Sequence, residues 1–314
     1  MRIVIALGGN ALLKRGQPLT AANQLDTLRG AARALAALVA AGHQLILTHG
    51  NGPQVGLLAL QSAAGPAESA LPLDVLDAES EGWIGFAIER ELRNALPVGT
   101  EVATLLTQIV VARDDPAFAA PAKPIGPMLD EAAARLIAAT HHWSIAPDGE
   151  GWRRVVASPR PQAIVEIGPI QRLIEAGVIV ICAGGGGIPV AAGVDGRMDG
   201  VEAVIDKDAA SALLAQQVAA DLFVMLTDVS GVYLDYGTEH ARLIGRADPD
   251  ALRRHGEAFK AGSMGPKVAA AVSFVAATGR PAAIGALADL SRVIDGDAGT
   301  RIISDSGAIG FRTA

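Results

Sequence analysis

Cysteine is nearly absent from this chain. Cys182 is the one thiol, so no intrachain disulfide can form, which fits a reducing compartment. Aromatic residues make up only 4%, and long apolar runs are missing. No stretch approaches the roughly 18 apolar residues that a membrane-spanning helix needs. The N-terminal run Ile3–Leu7 is too short for the core of a secretory signal and ends in Gly8-Gly9. A basic excess is missing as well: 26 Lys and Arg stand against 33 Asp and Glu, a net charge of −7. Such a chain lacks the broad positive field of a nucleic-acid binder, so an anionic substrate must be held by local positive groups. Lysine is the scarce cation. The chain has five, Lys14, Lys123, Lys207, Lys260 and Lys267, and arginine supplies the rest. Lysine is a compact, movable point charge where arginine is a fixed planar fork, so a lysine in an arginine-rich chain marks a position to inspect.

Familiar signatures are missing too. There is no GxxxxGKS/T, no GxGxxG after the first strand, no GxSxG and no HExxH. This argues against a Walker-type P-loop, a dinucleotide fold, a nucleophile-elbow hydrolase and a zinc protease. No His/Cys cluster has metal-ligand spacing, and Cys182, at the end of an apolar run, reads as core. His49 reads as a turn histidine bonded to backbone before it reads as a general base.

What is present is a rhythm. With 314 residues, half of them hydrophobic, the chain can bury a large core as one domain or two joined lobes. Short apolar runs lead into glycine-rich turns and then helices. Ile3–Leu7 precedes Gly8-Gly9-Asn10, Leu45–Thr48 precedes His49-Gly50-Asn51-Gly52, and Val178–Cys182 precedes Gly184-Gly185-Gly186-Gly187. Leu222–Leu226 precedes Thr227-Asp228. This alternation predicts a mainly parallel sheet with helices on both faces. Helices are expected over Ala22–Ala41, Glu79–Leu96, Asp130–Ala139, Asp208–Ala219 and after Pro266. Val102–Val111 reads as one strand. Residues 116–161 break the rhythm, with a helix and a hairpin around Pro147-Asp148-Gly149, and form either a lid or a surface excursion. A lobe boundary is expected near Gly193–Gly200.

The turns carry the chemistry. Glycine admits φ > 0 and close backbone approach, and N–H groups at a strand-to-helix junction bind anions. Four consecutive glycines after a strand are the strongest such signal here. Lys207, between Asp206 and Asp208, and Lys267, after Pro266, both fall in first turns of helices, where a cation opposes the macrodipole. That placement makes sense if a polyanion sits between them and Asp208 orients both. The plainer reading leaves Asp206 and Asp208 capping the helix and Lys207 solvated. A phosphoryl group in transfer needs positive charge around its oxygens and little covalent help.

In order and number, these motifs resemble the carbamate kinase family of the amino acid kinase superfamily. They are Ala6–Leu12, His49–Gly56, Leu106-Thr107-Gln108, Lys123–Pro127, Gly151–Val156, Gly184–Val190, Glu202–Asp208 and Gly262–Lys267. The resemblance implies a three-layer α/β/α sandwich with a mainly parallel open sheet and a small protruding lid subdomain. It implies an N-terminal lobe, about 1–195, for carbamate or carbamoyl phosphate, with the lid, about 116–161, inserted. A C-terminal lobe, about 196–314, would take ATP or ADP with Mg²⁺. It further implies a cytoplasmic homodimer active in arginine catabolism, with no nucleic-acid or membrane partner. Lys123, Lys207, Asp208 and Lys267 are the catalytic candidates. Gly8, Gly9, Asn10, Gly50, Asn51, Gly52, Gly185 and Gly186 are the substrate-side candidates, and Thr227, Asp228, Tyr233 and Met264 the nucleotide-side ones. No residue is expected to be a dedicated metal ligand. Relatives acting on other carboxylates carry a lysine just before the first Gly-Gly. Here Ile5-Ala6-Leu7 has none, and Lys207 would supply that charge. At Ser230-Gly231 the nucleotide-side motif departs slightly from the family pattern. The alternatives are another acid kinase of the superfamily and a non-catalytic sensor of nucleotide or carbamoyl phosphate.

Overall fold

Alternation along the first strand, Arg2–Leu7, sets the layers. Ile3, Ile5 and Leu7 join one hydrophobic cluster and Val4 and Ala6 the other, all five fully buried. A strand buried on both faces and paired in parallel on both sides belongs at the centre of a sheet. The computed structural model describes residues 1–13, 17–193, 195–259, 264–304 and 307–312. Its helices in chain order are α1 (Ala21–Ala40), α2 (Gly52–Ala63), α3 (Leu73–Ala95), α4 (Glu131–His141), α5 (Ile167–Glu175), α6 (Lys207–Gln217), α7 (Pro249–Arg254), α8 (Met264–Thr278) and α9 (Leu290–Asp295).

Among the described residues the main sheet has ten strands. From one edge the order is Tyr233–Leu234, Arg242–Ala247, Thr300–Ile302, Ala282–Ala286, Leu222–Thr227, Arg2–Leu7, Gln44–His49, Ile179–Ile181 and Val102–Thr104. Ile309–Phe311 pairs with Arg242–Ala247. Pairing is parallel from Ala282–Ala286 through to Val102–Thr104. Helices α1, α3 and α9 cover one face, and α5, α6, α7 and α8 the other. The expected sandwich is therefore present. The joint between the chain's two halves is the parallel pair Arg2–Leu7 and Leu222–Thr227.

Helix boundaries follow local chemistry. Thr20 caps α1 by accepting from the Asn23 N–H, and Gly42, at φ +81°, ends it. Helix α3 begins at Leu73, six residues before the expected Glu79, with Asp74 in its first turn, and stops ahead of Pro97.

One expected strand is in fact two. Val102–Thr104 lies in the main sheet, whereas Gln108–Val110 lies in a second sheet beside Ile188–Ala192. The chain changes sheets at Leu105–Thr107, where the Glu81 carboxylate takes the Thr107 N–H. The neighbouring strand Ile179–Ile181 makes the same change through the four glycines. Ala183, Gly185, Gly186 and Gly187 all have positive φ there. The expected lobe boundary is a hairpin of this second sheet, Ile188–Ala192 with Met198–Gly200, and Val194 lies outside the described residues.

Residues 123–156 build a third sheet, Lys123–Leu129, Gly151–Val156 and Ser144–Asp148, with α4 against it. The hairpin is present, one step later than expected: Asp148 pairs with Gly151, leaving Gly149-Glu150 as the turn. This unit packs on α2 where Gly56 meets Gly126, so closely that a Cβ on Gly56 would overlap the Gly126 backbone. Gly56→Ala should cost about 1–3 kcal/mol of local stability. Amide exchange within 123–156 should accelerate while Arg2–Leu7 and Leu222–Thr227 stay protected. Unchanged exchange in 123–156 would show the close approach to be dispensable.

Candidate active site

The carboxyl ends of the central strands bring the glycine turns together. Leu7 is in register with His49, and Ala6 with Met225, so Gly8, Gly50 and Thr227 lie at one end of the sheet. Gly8 is required there, because a Cβ on it would run into the Leu226 carbonyl.

Beside this end the first turns of α6 and α8 face each other. Asp208 is 4% exposed and accepts from Lys207 Nζ at 2.6 Å and Lys267 Nζ at 2.9 Å, one lysine on each carboxylate oxygen. Burial alone would raise the Asp208 pKa, but the two ammonium groups hold it well below the usual carboxylate range. For Lys207, burial lowers the pKa first, and the Lys267 charge adds to that against the pull of Asp208. Lys207 is therefore not a solvated lysine: its side chain is 13% exposed and its stem passes beside Gly50.

Asp206 has two tasks. One oxygen caps α6, accepting from the Asp208 and Ala209 N–H groups, and the other accepts from Lys123 Nζ at 2.9 Å. Burial would raise the Asp206 pKa, yet the Lys123 ammonium and the capping bonds bring it below its ordinary value. Lys123 starts the third sheet, so this pair ties that unit to the head of α6. Three of the chain's five lysines thus meet at one helix terminus, while Lys14 and Lys260 lie outside the described residues.

The other candidates divide. Asn51 and Gly52 open α2, where first-turn N–H groups have no intrahelical acceptor. Gly50 differs from expectation, since its N–H donates to the Leu7 carbonyl. Gly9 is exposed, while the Asn10 side chain lies outside the described residues, as do Gly262 and Ser263. Gly185 and Gly186 are buried, packed against the Asn51 side chain and the Ile205 carbonyl. Thr227 ends its strand, with its hydroxyl 3.2 Å from the exposed Asp228. Met264 opens α8 one turn before Lys267. Tyr233 sits on the edge strand of the main sheet, its ring tilted against Tyr236.

Behind these turns lies a polar layer that the sequence reading missed. Asn51 donates to Asp77 and to Ser80, each at 2.9 Å. Glu81 accepts from the N–H groups of Thr107 and Gly184, which fastens the two sheet changes to α3. Asp77, Ser80 and Glu81 are buried, and their spacing of i, i+3, i+4 marks one helix face. That spacing was the available signal. His49 is buried too, with Nδ1 3.1 Å from the Gly50 carbonyl, and burial lowers its pKa to about 4. It is the backbone-bonded turn histidine. Burial pushes the Cys182 thiol up, which keeps it a protonated core residue.

No group of three or more His, Cys, Asp or Glu able to hold a metal ion occurs among the described residues. The two carboxylates nearest the lysines, Asp206 and Asp208, are both taken by ammonium groups.

The fold agrees with what the chain resembles across its length. The model of the amino acid kinase family matches residues 1–286. A carbamate kinase of Haemophilus influenzae is 50% identical over 99% of this chain and 99% of its own. One of Rhizobium meliloti is 53% identical over 98% of this chain and 94% of its own. The chain belongs to the carbamate kinase family, within the amino acid kinases. A solved structure of the family, the Giardia lamblia carbamate kinase bound to AMP-PNP, superposes with a TM-score of 0.87 at 39% identity, covering 97% of this chain and 98% of that one.

In this family member the polar layer also carries a pH dependence. Burial raises the Glu81 pKa to about 8, against the two N–H groups that favour the carboxylate. An acid whose folded pKa lies above its unfolded value binds its proton more tightly when folded. Its stabilisation is complete below about pH 4.5 and is lost as pH rises towards about 8. Urea unfolding of Glu81→Gln should show a flatter decline over that window, by at most about 1.4 kcal/mol per pH unit. Equal slopes in the two proteins would remove Glu81 as the source.

Proposed function

We propose that the chain transfers a phosphoryl group reversibly between ATP and carbamate, with Lys207, Asp208 and Lys267 at its centre. The carrying observation is the buried Asp208 holding two ammonium groups at the head of two helices beside the glycine turns. That pair is suited to the charge that spreads over the oxygens of a phosphoryl group in flight. Asp208 acts as a positioning residue, fixing both lysines, while its own negative charge keeps the pair from repelling itself apart.

A carbamate oxygen is already anionic, so the reaction needs no general base. This agrees with a His49 that is buried and bonded to backbone. In the proposed arrangement the N–H groups of Gly8, Gly9, Asn51 and Gly52 and the Asn10 amide hold the carbamate side, with Gly50 beside the Lys207 stem. Gly185 and Gly186 form the wall behind. Lys123 arrives with the lid and is held there by Asp206. Thr227, Asp228, Tyr233 and Met264 line the nucleotide side, in the C-terminal lobe. Mg²⁺ accompanies the nucleotide phosphates and supplies further neutralising charge. Kinship supports the wider reading: a cytoplasmic homodimer that makes ATP during arginine breakdown. Sedimentation velocity tests the dimer, and a single species of 32.0 kDa would reject it.

The direct test mixes the protein with ADP, Mg²⁺ and carbamoyl phosphate and measures ATP. No ATP there, together with turnover of acetylglutamate, aspartate or UMP with ATP, would transfer the protein to another acid kinase activity. Lys207→Ala and Lys267→Ala should each lower kcat by about 10²-fold or more. Near-normal rates in both would sink the assignment of the lysines.

A further inference from the structure

A second concentration of positive charge lies at the sheet edge formed by the C-terminal strands. There a cavity of about 640 Å³ opens between the strands Arg242–Ala247 and Thr300–Ile302 and the C-terminus of α9. Arg246, Arg292, Arg301 and Arg312 line it, against one carboxylate among the described residues, Asp297. None of these residues belongs to the lysine cluster. In a chain of net charge −7, the inner pair Arg301 and Arg312 is a local concentration of positive charge.

The inner pair is fixed in place. Arg312 donates through Nε to the Gly299 carbonyl at 2.9 Å and through Nη2 to the Gly296 carbonyl at 2.8 Å. Gly245 admits the stem, since a Cβ there would press on Arg312 Cγ. Arg301 donates through Nη1 to the Ile294 carbonyl at 3.2 Å. These bonds satisfy the carbonyls that end α9, whose partial charge of about −0.5 offsets only part of the two guanidinium charges. Neither arginine forms an ion pair with a carboxylate among the described residues. Burial lowers the Arg301 pKa. At the rim, Arg292 pairs with Asp289 at 3.0 Å, and its other arm reaches towards the Asp297 carbonyl.

The carbonyl bonds use one part of each inner guanidinium, and each carries further N–H donors. Guanidinium forks match the oxygens of phosphate groups in pairs. The cavity is also far larger than a single water or halide requires. We infer that this pocket is a second anion site, taking a compact polyanion of the diphosphate type. Its floor connects to the nucleotide side. Thr300, next to Arg301, accepts from the Val232 N–H at 2.8 Å and donates to the Ile244 carbonyl at 2.6 Å. An anion gripping Arg301 therefore sits one residue from the bond that anchors the loop after Thr227.

Inorganic pyrophosphate is the probe, titrated by calorimetry into the full-length wild type and two variants. Arg301→Gln/Arg312→Gln removes the inner pair. Arg246→Gln/Arg292→Gln removes rim charges without touching the carbonyls of α9 bonded by the inner pair, and so covers the case in which the first variant fails to fold. Binding at the candidate active site is common to all three proteins. The wild type should therefore hold one further equivalent, and each folded variant should lose it or bind it about tenfold or more weakly. ATP formation without pyrophosphate should be unchanged in the rim variant. Identical isotherms in the wild type and the rim variant, or no equivalent beyond that of the active site, would overturn the second site. The readout is binding, so it stands apart from the outcome of the turnover assay.

Discussion

A buried carboxylate between two ammonium groups is the constraint around which the rest of the molecule is arranged. Asp208 cannot be buried as an anion without partners, and Lys207 and Lys267 cannot share a buried site without a charge between them. Removing Asp208 would leave two buried ammonium groups facing each other without a counter-charge. Asp208 and Lys267 are 59 positions apart on different helices, so the bridge exists only when α6 and α8 are packed side by side on one face of the sheet. The parallel order of the central strands places them there, and the same order brings Gly8, Gly50 and Thr227 to that end.

Much of this was readable in advance because it is local. Lys207 between two aspartates, Pro266 ahead of Lys267, and apolar runs ending in glycine are patterns a few residues long. What stayed hidden depends on distant partners. Asp77, Ser80 and Glu81 are unremarkable polar residues until Asn51, Thr107 and Gly184 arrive opposite them. Val102–Val111 has the composition of one strand, and it divides only because Glu81, more than twenty positions earlier, captures the Thr107 N–H.

The four glycines show that a glycine signal can have a cause other than a ligand. The backbone of Gly185, Gly186 and Gly187 does adopt the positive φ that glycine allows. Each of the four is closed in by packing: Gly184 by His49, Gly185 by Asn51, Gly186 by Ile205 and Gly187 by Ile109. The run carries a strand from one sheet to the next through a space too narrow for any side chain. A glycine motif can therefore record the crossing of backbones as firmly as the approach of a ligand.

The pairing of Lys123 with Asp206 has a consequence for how the protein meets its substrate. Together with Asp208, the two aspartates cancel most of the charge on the three lysines before any ligand arrives. Beyond a Debye length of about 8 Å, an approaching anion encounters the acidic exterior of the chain and not the lysines. Recognition is thus a matter of short range. The positive groups are screened from passing anions and are felt only by one that has already entered, where it can draw the ammonium groups towards itself.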